Sequence, residues 1–269
     1  MPRKLIALDL DGTTLNAEGE LSARTVAILN QATAAGHLVV IATGRPDTIS
    51  EHIYDALHLQ GPMINFNGAL VHIPHRVWQG ERQAVIQIST ALALRRFKRE
   101  FQIQLMVAEG KRLLVADRGY ANVPFLPDMP RPTQLLNAAG LTQAPISVTM
   151  FIAAATLIPL QEAITTAFPQ LTPKTWGAWS GQDTALEVTA GKTGKAKALA
   201  YVAAQYGIAR ADIVAFGDDL NDLDMLTFAG VGVAMKNARP ELLAVADDVT
   251  TRENTADGVA DYLATHLAL

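Results

Sequence analysis

The chain has no cysteine among its 269 residues. This absence excludes a disulfide scaffold, a thiol nucleophile, and any zinc or iron–sulfur site built on cysteine. Aromatic residues make up only 6% of the chain and charged residues 18%, whereas 49% of the residues are hydrophobic. A chain of this length and apolar content can bury a core without a covalent or metal cross-link, and it is not expected to be disordered.

Long hydrophobic runs and an excess of positive charge are also missing. The apolar run Leu5–Leu8 meets Asp9 too soon for a signal peptide, and the apolar stretch Ile146–Leu160 is too short and too polar to span a membrane. The formal net charge of −4 argues against nucleic acid as the main partner. We therefore expect a cytoplasmic protein with no membrane and no nucleic-acid partner. A monomer and a homodimer both remain open.

Short apolar strands alternate with helices at both ends of the chain. The sequence predicts strands at Leu5–Leu8 and Leu38–Ala42, separated by a helix that Ser22 caps. Strands at Ile213–Phe216 and Val231–Ala234 repeat the pattern near the other end. Strands that are apolar throughout are typical of a parallel sheet covered on both faces. We therefore predict an α/β fold whose core is a Rossmann-like, doubly wound parallel sheet.

The middle of the chain lacks this regular alternation and is predicted to be an inserted α+β cap domain. We place the cap at residues 82–187, which leaves 1–81 and 188–269 as one discontinuous core domain. The cap carries ten Lys/Arg and seven Asp/Glu, and the flanking segments carry twelve and nineteen. A basic cap facing an acidic site would suit a phosphorylated substrate, although ordinary solvated surface explains the charges equally well.

Two acidic clusters stand directly after predicted strands, at the end where open α/β sheets bind ligands. Asp9 and Asp11 can face one cleft, and Asp218, Asp219 and Asp222 form the second cluster. Clustered carboxylates need a cation or a shared proton, and oxygen ligands favour Mg2+. The alternatives are an exposed Asp-Gly turn for the first cluster and an acidic helix start for the second.

Other residues at strand and helix ends point to phosphate. The turn Thr43–Arg45 offers a hydroxyl and free backbone N–H groups that can hold phosphate oxygens. Lys195 begins a predicted helix, where its charge opposes the helix dipole, so phosphate contact and plain solvent exposure both remain open. His72 and His75 have no acidic neighbour in the sequence and are predicted to lie on the surface.

The motifs together resemble the haloacid dehalogenase superfamily of phosphotransferases. Four elements carry the resemblance in the family's order: DLDGTTL at Asp9–Leu15, TGR at Thr43–Arg45, the basic Lys195 and GDDLND at Gly217–Asp222. Three further elements are similar to signatures of its Cof-type, sugar-phosphatase-like branch: Asn67–Ala69, Met235–Ala238 and Asp257–Val259. In that branch a large α/β cap is inserted at the position of residues 82–187.

The resemblance implies a role for each matching residue. Asp9 would be the nucleophile that forms an aspartyl-phosphate, and Asp11 would be the general acid and base. Mg2+ would be held by the Asp9 carboxylate, the Asp11 backbone carbonyl and Asp218. Phosphate or substrate would contact Thr43, Gly44, Arg45, Lys195 and Asn221, while Asp219 and Asp222 would complete or orient the acidic shell. Lys192 and Lys197 leave some ambiguity in the choice of Lys195, and Arg45 could instead brace its loop.

The expected function is Mg2+-dependent hydrolysis of a small phosphorylated metabolite, a sugar phosphate or a related compound. Two alternatives remain open: a phosphomutase that uses the same intermediate, and a catalytically silent regulator that binds a phosphorylated ligand. The Asp9/Asp11 pair counts against the silent regulator, because a pure binder needs no proton-transfer group beside a nucleophile.

Overall fold

The computed structural model describes residues 2–118, 134–175, 183–191 and 193–267. The strands in these residues are β1 Leu5–Leu8, β2 Leu38–Ile41, β3 Met63–Asn65, β4 Leu70–His72, β5 Arg82–Gln83, β6 Leu105–Gly110, β7 Leu113–Ala116, β8 Gln134–Leu135, β9 Ser147–Ala153, β10 Leu171–Thr175, β11 Asp183–Ala190, β12 Ile213–Gly217, β13 Val231–Ala234 and β14 Asp248–Val249. The helices are α1 Ala23–Ala34, α2 Glu51–Ala56, α3 Ile88–Ala93, α4 Phe97–Glu100, α5 Leu157–Ala167, α6 Lys195–Gln205, α7 Leu223–Phe228, α8 Pro240–Leu243 and α9 Gly258–His266.

The chain divides into two compact units. The first consists of Met1–Arg45, Ser50–Arg82 and Gly194–Leu269, and the second of Pro46–Ile49 and Gln83–Thr193. The predicted end of the cap at residue 187 falls inside β11. Because β11 is one continuous strand of the second unit's sheet, that unit runs on past residue 187.

A parallel sheet forms the centre of the first unit. Its described strands lie in the order β14-β13-β12-β1-β2, and β1 pairs in parallel with both β2 and β12. All four residues of β1 are buried. The strand order therefore reverses at β1, and a reversal of this kind opens a ligand crevice at the carboxyl ends of the strands. The predicted α/β core with a parallel sheet is confirmed.

The apolar segment Met63–Phe66 favours a further parallel strand, but its pairing differs from that of β1 and β2. The strand ends at Asn65 and runs antiparallel to β4, with a single parallel bridge between Ala42 and Ile64. The prediction that His72 lies on the surface is wrong, because His72 is fully buried in β4 and its Nε2 lies 3.0 Å from Asn65 Oδ1. His75 is exposed as predicted and pairs with Asp55.

The second unit is built on a largely antiparallel sheet. Among its described strands the order is β10-β11-β9-β6-β7-β8, and residues from β6, β9 and β11 pack with those of α3, α4 and α5 in one hydrophobic cluster. The alternating sequence of Ala84–Ser89 favours a strand, but this expectation is wrong because α3 already begins at Ile88. The N–H of Ile86, just before that helix, donates to the Pro145 carbonyl rather than to a strand.

None of the helices in the described ranges has the length and apolar content required to cross a membrane.

Candidate active site

The site begins where β1 ends. Asp9 follows β1, is 5% exposed, and donates its backbone N–H to the Phe216 carbonyl in β12. The chain then bends through an irregular turn at Leu10–Thr14, and the Thr14 hydroxyl donates to the Asp9 carbonyl at 2.6 Å. These bonds fix the backbone of Asp9 at the strand end, with its carboxylate inside the protein.

The turn requires glycine at residue 12. Gly12 has φ +72°, and an added Cβ would overlap the carboxylate of Asp218. The Thr13 hydroxyl donates to Asp218 Oδ1 at 2.8 Å. The turn that follows Asp9 is therefore in direct contact with Asp218 of the second cluster, although more than 200 residues separate them in the sequence.

Lys195 joins Asp9 to the second cluster. Its side chain has no exposed surface, and Nζ donates to Asp9 Oδ1 and to Asp222 Oδ1, both at 2.6 Å. Burial works against the charge of Lys195, but the two carboxylates outweigh it and raise its pKa above the ordinary value. Plain solvent exposure of Lys195 is thereby excluded. Lys197 is exposed on the same helix, and Lys192 lies outside the described residues.

The three carboxylates next to Lys195 share a desolvated environment. Burial raises the pKa of Asp9 well above its ordinary value, the charges of Asp222 and Asp218 raise it further, and Lys195 opposes them. Burial and Asp222 raise the pKa of Asp218 to about 7. Burial also raises the pKa of Asp222. A bound cation would relieve the crowding of these charges.

A hard divalent cation fits the atoms that these aspartates offer. Asp9, Asp218 and Asp222 each present a carboxylate oxygen within 4.8 Å of the others. Asp222 is already engaged, because Oδ1 accepts from Lys195 and Oδ2 accepts from the backbone N–H groups of Asp218 and Asp219. Oδ2 of Asp9 and Oδ2 of Asp218 accept no hydrogen bond from the described part of the chain. An all-oxygen donor set of this kind favours Mg2+.

The Asp11 side chain lies outside this group of three carboxylates. It is 45% exposed, and Arg45 donates to both of its oxygens, from Nε at 2.8 Å and from Nη2 at 2.5 Å. Sequence reasoning left open whether Arg45 contacts substrate or braces its loop. In the structure Arg45 holds Asp11 in a two-bond ion pair, a geometry that the planar guanidinium favours.

The turn Thr43–Arg45 is held close to two asparagines. The Thr43 carbonyl accepts from the backbone N–H of Asn67, and a Cβ on Gly44 would lie 3.2 Å from the Asn67 amide. Asn221 Nδ2 donates to Asn67 Oδ1 at 3.1 Å. The polar residues that the sequence placed at separate strand ends therefore meet in one place.

Thr43 and Asp219, two further residues that the sequence predicted for the site, bind neighbouring protein groups. The Thr43 hydroxyl is buried and accepts from the Arg45 N–H at 3.0 Å. Asp219 caps the turn that Asp222 closes, and its Oδ1 lies 3.6 Å from Arg239 Nη1. Asp219 therefore orients Asp222 and lies outside the carboxylate group that could hold a metal.

Sequence reasoning missed several residues that shape the site. Thr13 and Thr14 stand inside the DLDGTTL motif, so the motif itself could have identified them. Asn237 stands in the Met235–Ala238 signature, and its Nδ2 donates to the Gly12 carbonyl at 2.7 Å. The pairing of Lys195 with Asp222 had no local signal, because 27 residues separate the two.

A second group of buried polar residues lies in the second unit. Glu109 in β6 is opposite Ser147 in β9, and Thr149 in β9 is opposite Glu187 in β11. Among the described residues, Glu109 Oε1 and the hydroxyls of Ser147 and Thr149 have no hydrogen-bond partner. Burial, followed by the charges of Glu187 and Asp47, raises the pKa of Glu109 to about 8. Sequence reasoning passed over this group, because each residue stands alone in an apolar strand.

Comparison with known proteins identifies the family. The family model described as haloacid dehalogenase-like hydrolase matches residues 6–263. The chain is 30% identical to the 5-amino-6-(5-phospho-D-ribitylamino)uracil phosphatase YitU of Bacillus subtilis, over 98% of each protein. It is 31% identical to the pyridoxal phosphate phosphatase YbhA of Escherichia coli, over 99% of this chain and 100% of that protein.

Solved structures show the same fold. A haloacid dehalogenase-like hydrolase from Bacteroides thetaiotaomicron superposes with a TM-score of 0.84 at 25% identity, over 98% of this chain and 99% of that chain. A sugar phosphatase of subclass IIB in the same superfamily superposes with a TM-score of 0.79 at 22% identity, over 98% and 99% of the two chains. The resemblance drawn from the sequence motifs is confirmed, and the chain belongs to the haloacid dehalogenase-like hydrolase family as a phosphoric monoester hydrolase.

Proposed function

We propose that the chain hydrolyses the phosphate ester of a small metabolite, a sugar phosphate or a related compound, through an aspartyl-phosphate on Asp9. The observation that carries the proposal is the buried bond from Lys195 Nζ to Asp9 Oδ1 at the end of β1. That bond leaves Oδ2 of Asp9 available as the attacking oxygen. The named substrates of YitU and YbhA are both small phosphorylated molecules, which supports this substrate class.

The proposed first step transfers the phosphoryl group to Asp9. Oδ2 of Asp9 attacks phosphorus, the bond from phosphorus to the ester oxygen breaks, and the leaving oxygen takes a proton from Asp11. The attack of a carboxylate on an anionic phosphate needs positive charge nearby, and Lys195 supplies one such charge. In the second step water attacks phosphorus, Asp11 accepts a proton from that water, and the Asp9 carboxylate is released with inorganic phosphate. Two smaller barriers replace one large barrier.

We propose Mg2+ as the cofactor, held by the Asp9 carboxylate, the Asp11 backbone carbonyl and Asp218. The chemistry that this ion supplies when bound is neutralisation of charge on the phosphoryl oxygens and on Asp9. Asp222 is then an orienting residue rather than a ligand, since Lys195 and two backbone N–H groups already occupy its oxygens.

The proposed role of Asp11 requires a second position of its side chain, away from Arg45. While Arg45 donates to both Asp11 oxygens, neither oxygen can deliver a proton. Proton transfer therefore requires the Asp11 side chain to leave Arg45 and turn towards the ester oxygen. The Arg45 guanidinium would then be available to bind the substrate. Arg45 would thus alternate between holding Asp11 and contacting the substrate.

The turn Thr43–Arg45 is proposed to bind the phosphoryl group. Because the Thr43 hydroxyl accepts from the Arg45 N–H, its own proton remains available for a phosphoryl oxygen. Gly44 allows close approach of the backbone, and Asn221 is held beside it through Asn67. Thr43 and Lys195 would thus contact the phosphoryl group from two different segments of the chain.

The test measures inorganic phosphate released from p-nitrophenyl phosphate and from a panel of sugar phosphates, with Mg2+ and with a chelator. We expect Mg2+-dependent release that Asp9→Asn lowers by about 10³-fold or more, because the nucleophile is lost. Asp55→Asn is the matched control, since Asp55 is an exposed partner of His75 and its loss should leave the rate unchanged.

Three results would change the assignment. Transfer of phosphate between sugar hydroxyls without release would favour the phosphomutase. Binding of phosphorylated ligands without any turnover would favour the silent regulator, and full activity in Asp9→Asn would overturn the proposed nucleophile.

A further inference from the structure

The segment Met235–Arg239 contacts both halves of the proposed metal site. The Asn237 Nδ2 group donates to the Gly12 carbonyl at 2.7 Å, and the Arg239 backbone N–H donates to the Asp218 carbonyl at 2.9 Å. We propose that this segment is a clip that sets the separation of the Asp9–Thr14 turn and Asp218, and that Asn237 is a positioning residue for the metal. The inference rests on the proposed function, because it takes the metal site from there.

The position of Gly12 affects two of the proposed metal ligands. Its nitrogen is bonded to the Asp11 carbonyl carbon, so the proposed backbone ligand belongs to the peptide that enters Gly12. Gly12 also touches the Asp218 carboxylate, and Thr13 beside it donates to Asp218 Oδ1. A shift of the Gly12 carbonyl would therefore move the Asp11 ligand and change the contact with the Asp218 ligand.

A second asparagine fixes the direction of the Asn237 amide. The Asn254 backbone N–H donates to Asn237 Oδ1 at 3.1 Å, which turns Nδ2 of Asn237 towards Gly12. The Asn254 side chain donates to the Leu15 carbonyl at 2.8 Å. Asn237 therefore holds the carbonyl of Gly12, and Asn254 holds the carbonyl of Leu15. Gly12 is the residue of this pair that contacts Asp218, a proposed metal ligand.

The clip is itself attached firmly to the sheet. The Met235 N–H donates to the Gly217 carbonyl at the end of β12, and the Lys236 N–H donates to the Thr250 hydroxyl at 2.9 Å. Asn237 is exposed, so its side chain contributes little to the hydrophobic core. A substitution at Asn237 should therefore alter the site without unfolding the chain.

The test compares Asn237→Ala with Asn254→Ala, because each removes one amide donor from one loop carbonyl without a change in charge. Binding of Mg2+ is measured by titration calorimetry and binding of Mn2+ by electron paramagnetic resonance, both on metal-free protein. We expect Asn237→Ala to weaken binding about tenfold, as is typical when a residue that supports a ligand is lost, and Asn254→Ala to weaken it less than about twofold. The melting temperature of both variants in chelator should stay within about 2 °C of that of the unchanged protein, which would show that the fold is intact.

Three results would overturn the clip, and they differ in what they mean for the proposed function. Equal ion affinities for the unchanged protein and Asn237→Ala, or equal weakening in both variants, would reject the clip and leave the proposed function intact. Failure of the unchanged protein to bind either ion would reject the metal site of the proposed function, and the clip with it.

Discussion

Lys195 Nζ lies 2.6 Å from Asp9 Oδ1, and Lys195 has no exposed surface. The same ammonium group lies 2.6 Å from Asp222 Oδ1. A buried cation between two carboxylates is costly to remove, because the partners that remain are then unpaired and buried. The bond therefore contributes to folding as well as to the proposed chemistry.

Replacing Lys195 by methionine should affect both stability and rate. We expect Lys195→Met to lower the free energy of unfolding by about 3–5 kcal/mol, since it leaves Asp9 and Asp222 without their cation. Phosphate release should fall by about 10²–10³-fold where the variant is folded, because a positioned charge on the phosphoryl group is lost. Urea unfolding and phosphate-release assays measure the two effects.

Lys4→Met is the matched control for that substitution. Lys4 also pairs with an aspartate at 2.7 Å, but Lys4 and Asp212 are 23% and 30% exposed. Its loss should cost less than about 1 kcal/mol and leave the rate unchanged. Equal losses of stability in the two variants would contradict the prediction that the buried ion pairs of Lys195 stabilise the fold more than the exposed pair of Lys4.

Asp11→Asn should separate the two chemical steps. p-Nitrophenolate leaves without a proton, so Asp9 should still be phosphorylated by p-nitrophenyl phosphate, and hydrolysis of the intermediate should slow by about 10²–10⁴-fold. We expect a rapid burst of about one p-nitrophenolate per protein followed by slow turnover. Sugar phosphates should give no burst, because their leaving oxygen needs a proton. Stopped-flow absorbance of p-nitrophenolate measures the burst. Release of p-nitrophenolate at a constant rate from the first turnover would argue against an acid and base role for Asp11.

Glu109 should make the second unit less stable as the pH rises. Burial and the charges of Glu187 and Asp47 raise its pKa from 4.5 to about 8, so between these values the folded chain holds a proton that the unfolded chain has released. The free energy of unfolding therefore falls as pH rises through this window. Glu109→Gln has no proton to lose, and its stability relative to the unchanged protein should increase from pH 5 to pH 8 by a few kcal/mol.

Urea unfolding at several pH values measures this difference, and Glu100→Gln is the control, because Glu100 is exposed in the same unit. The Glu100→Gln curve should run parallel to that of the unchanged protein. A parallel curve for Glu109→Gln as well would show that Glu109 is ionised in the folded chain at neutral pH.

The sequence predicted the part of the site that is encoded locally. Asp9, Thr43 and Asp218 each follow a short apolar strand, and the structure brings these strand ends together because parallel strands share one carboxyl edge. The parallel core was predictable for the same reason, since the periodicity of apolar strands and helices is local.

Contacts between segments that are distant in the sequence could not be predicted in the same way. The position of Lys195 at a helix start left its exposure open, and its burial is explained by its bonds to Asp9, 186 residues away, and to Asp222. His72 ends a three-residue strand, and its burial depends on the antiparallel partner strand that carries Asn65. The ion pair of Asp11 with Arg45 likewise depends on how two loops meet, which spacing along the chain does not encode.

The central place of β1 has a consequence for the order in which the chain folds. β1 pairs with β2, which follows soon after it, and with β12, which begins more than 200 residues later. During synthesis, one edge of β1 therefore stays unpaired until β12 has been made. The strands β6 to β11 are contiguous in the sequence and can pair with one another before β12 is available to pair with β1. Asp9, the proposed nucleophile, is made long before its partner Lys195, which follows the second unit. Chains that end before Lys195 and β12 are therefore expected to be inactive and prone to aggregate through the open edge of β1.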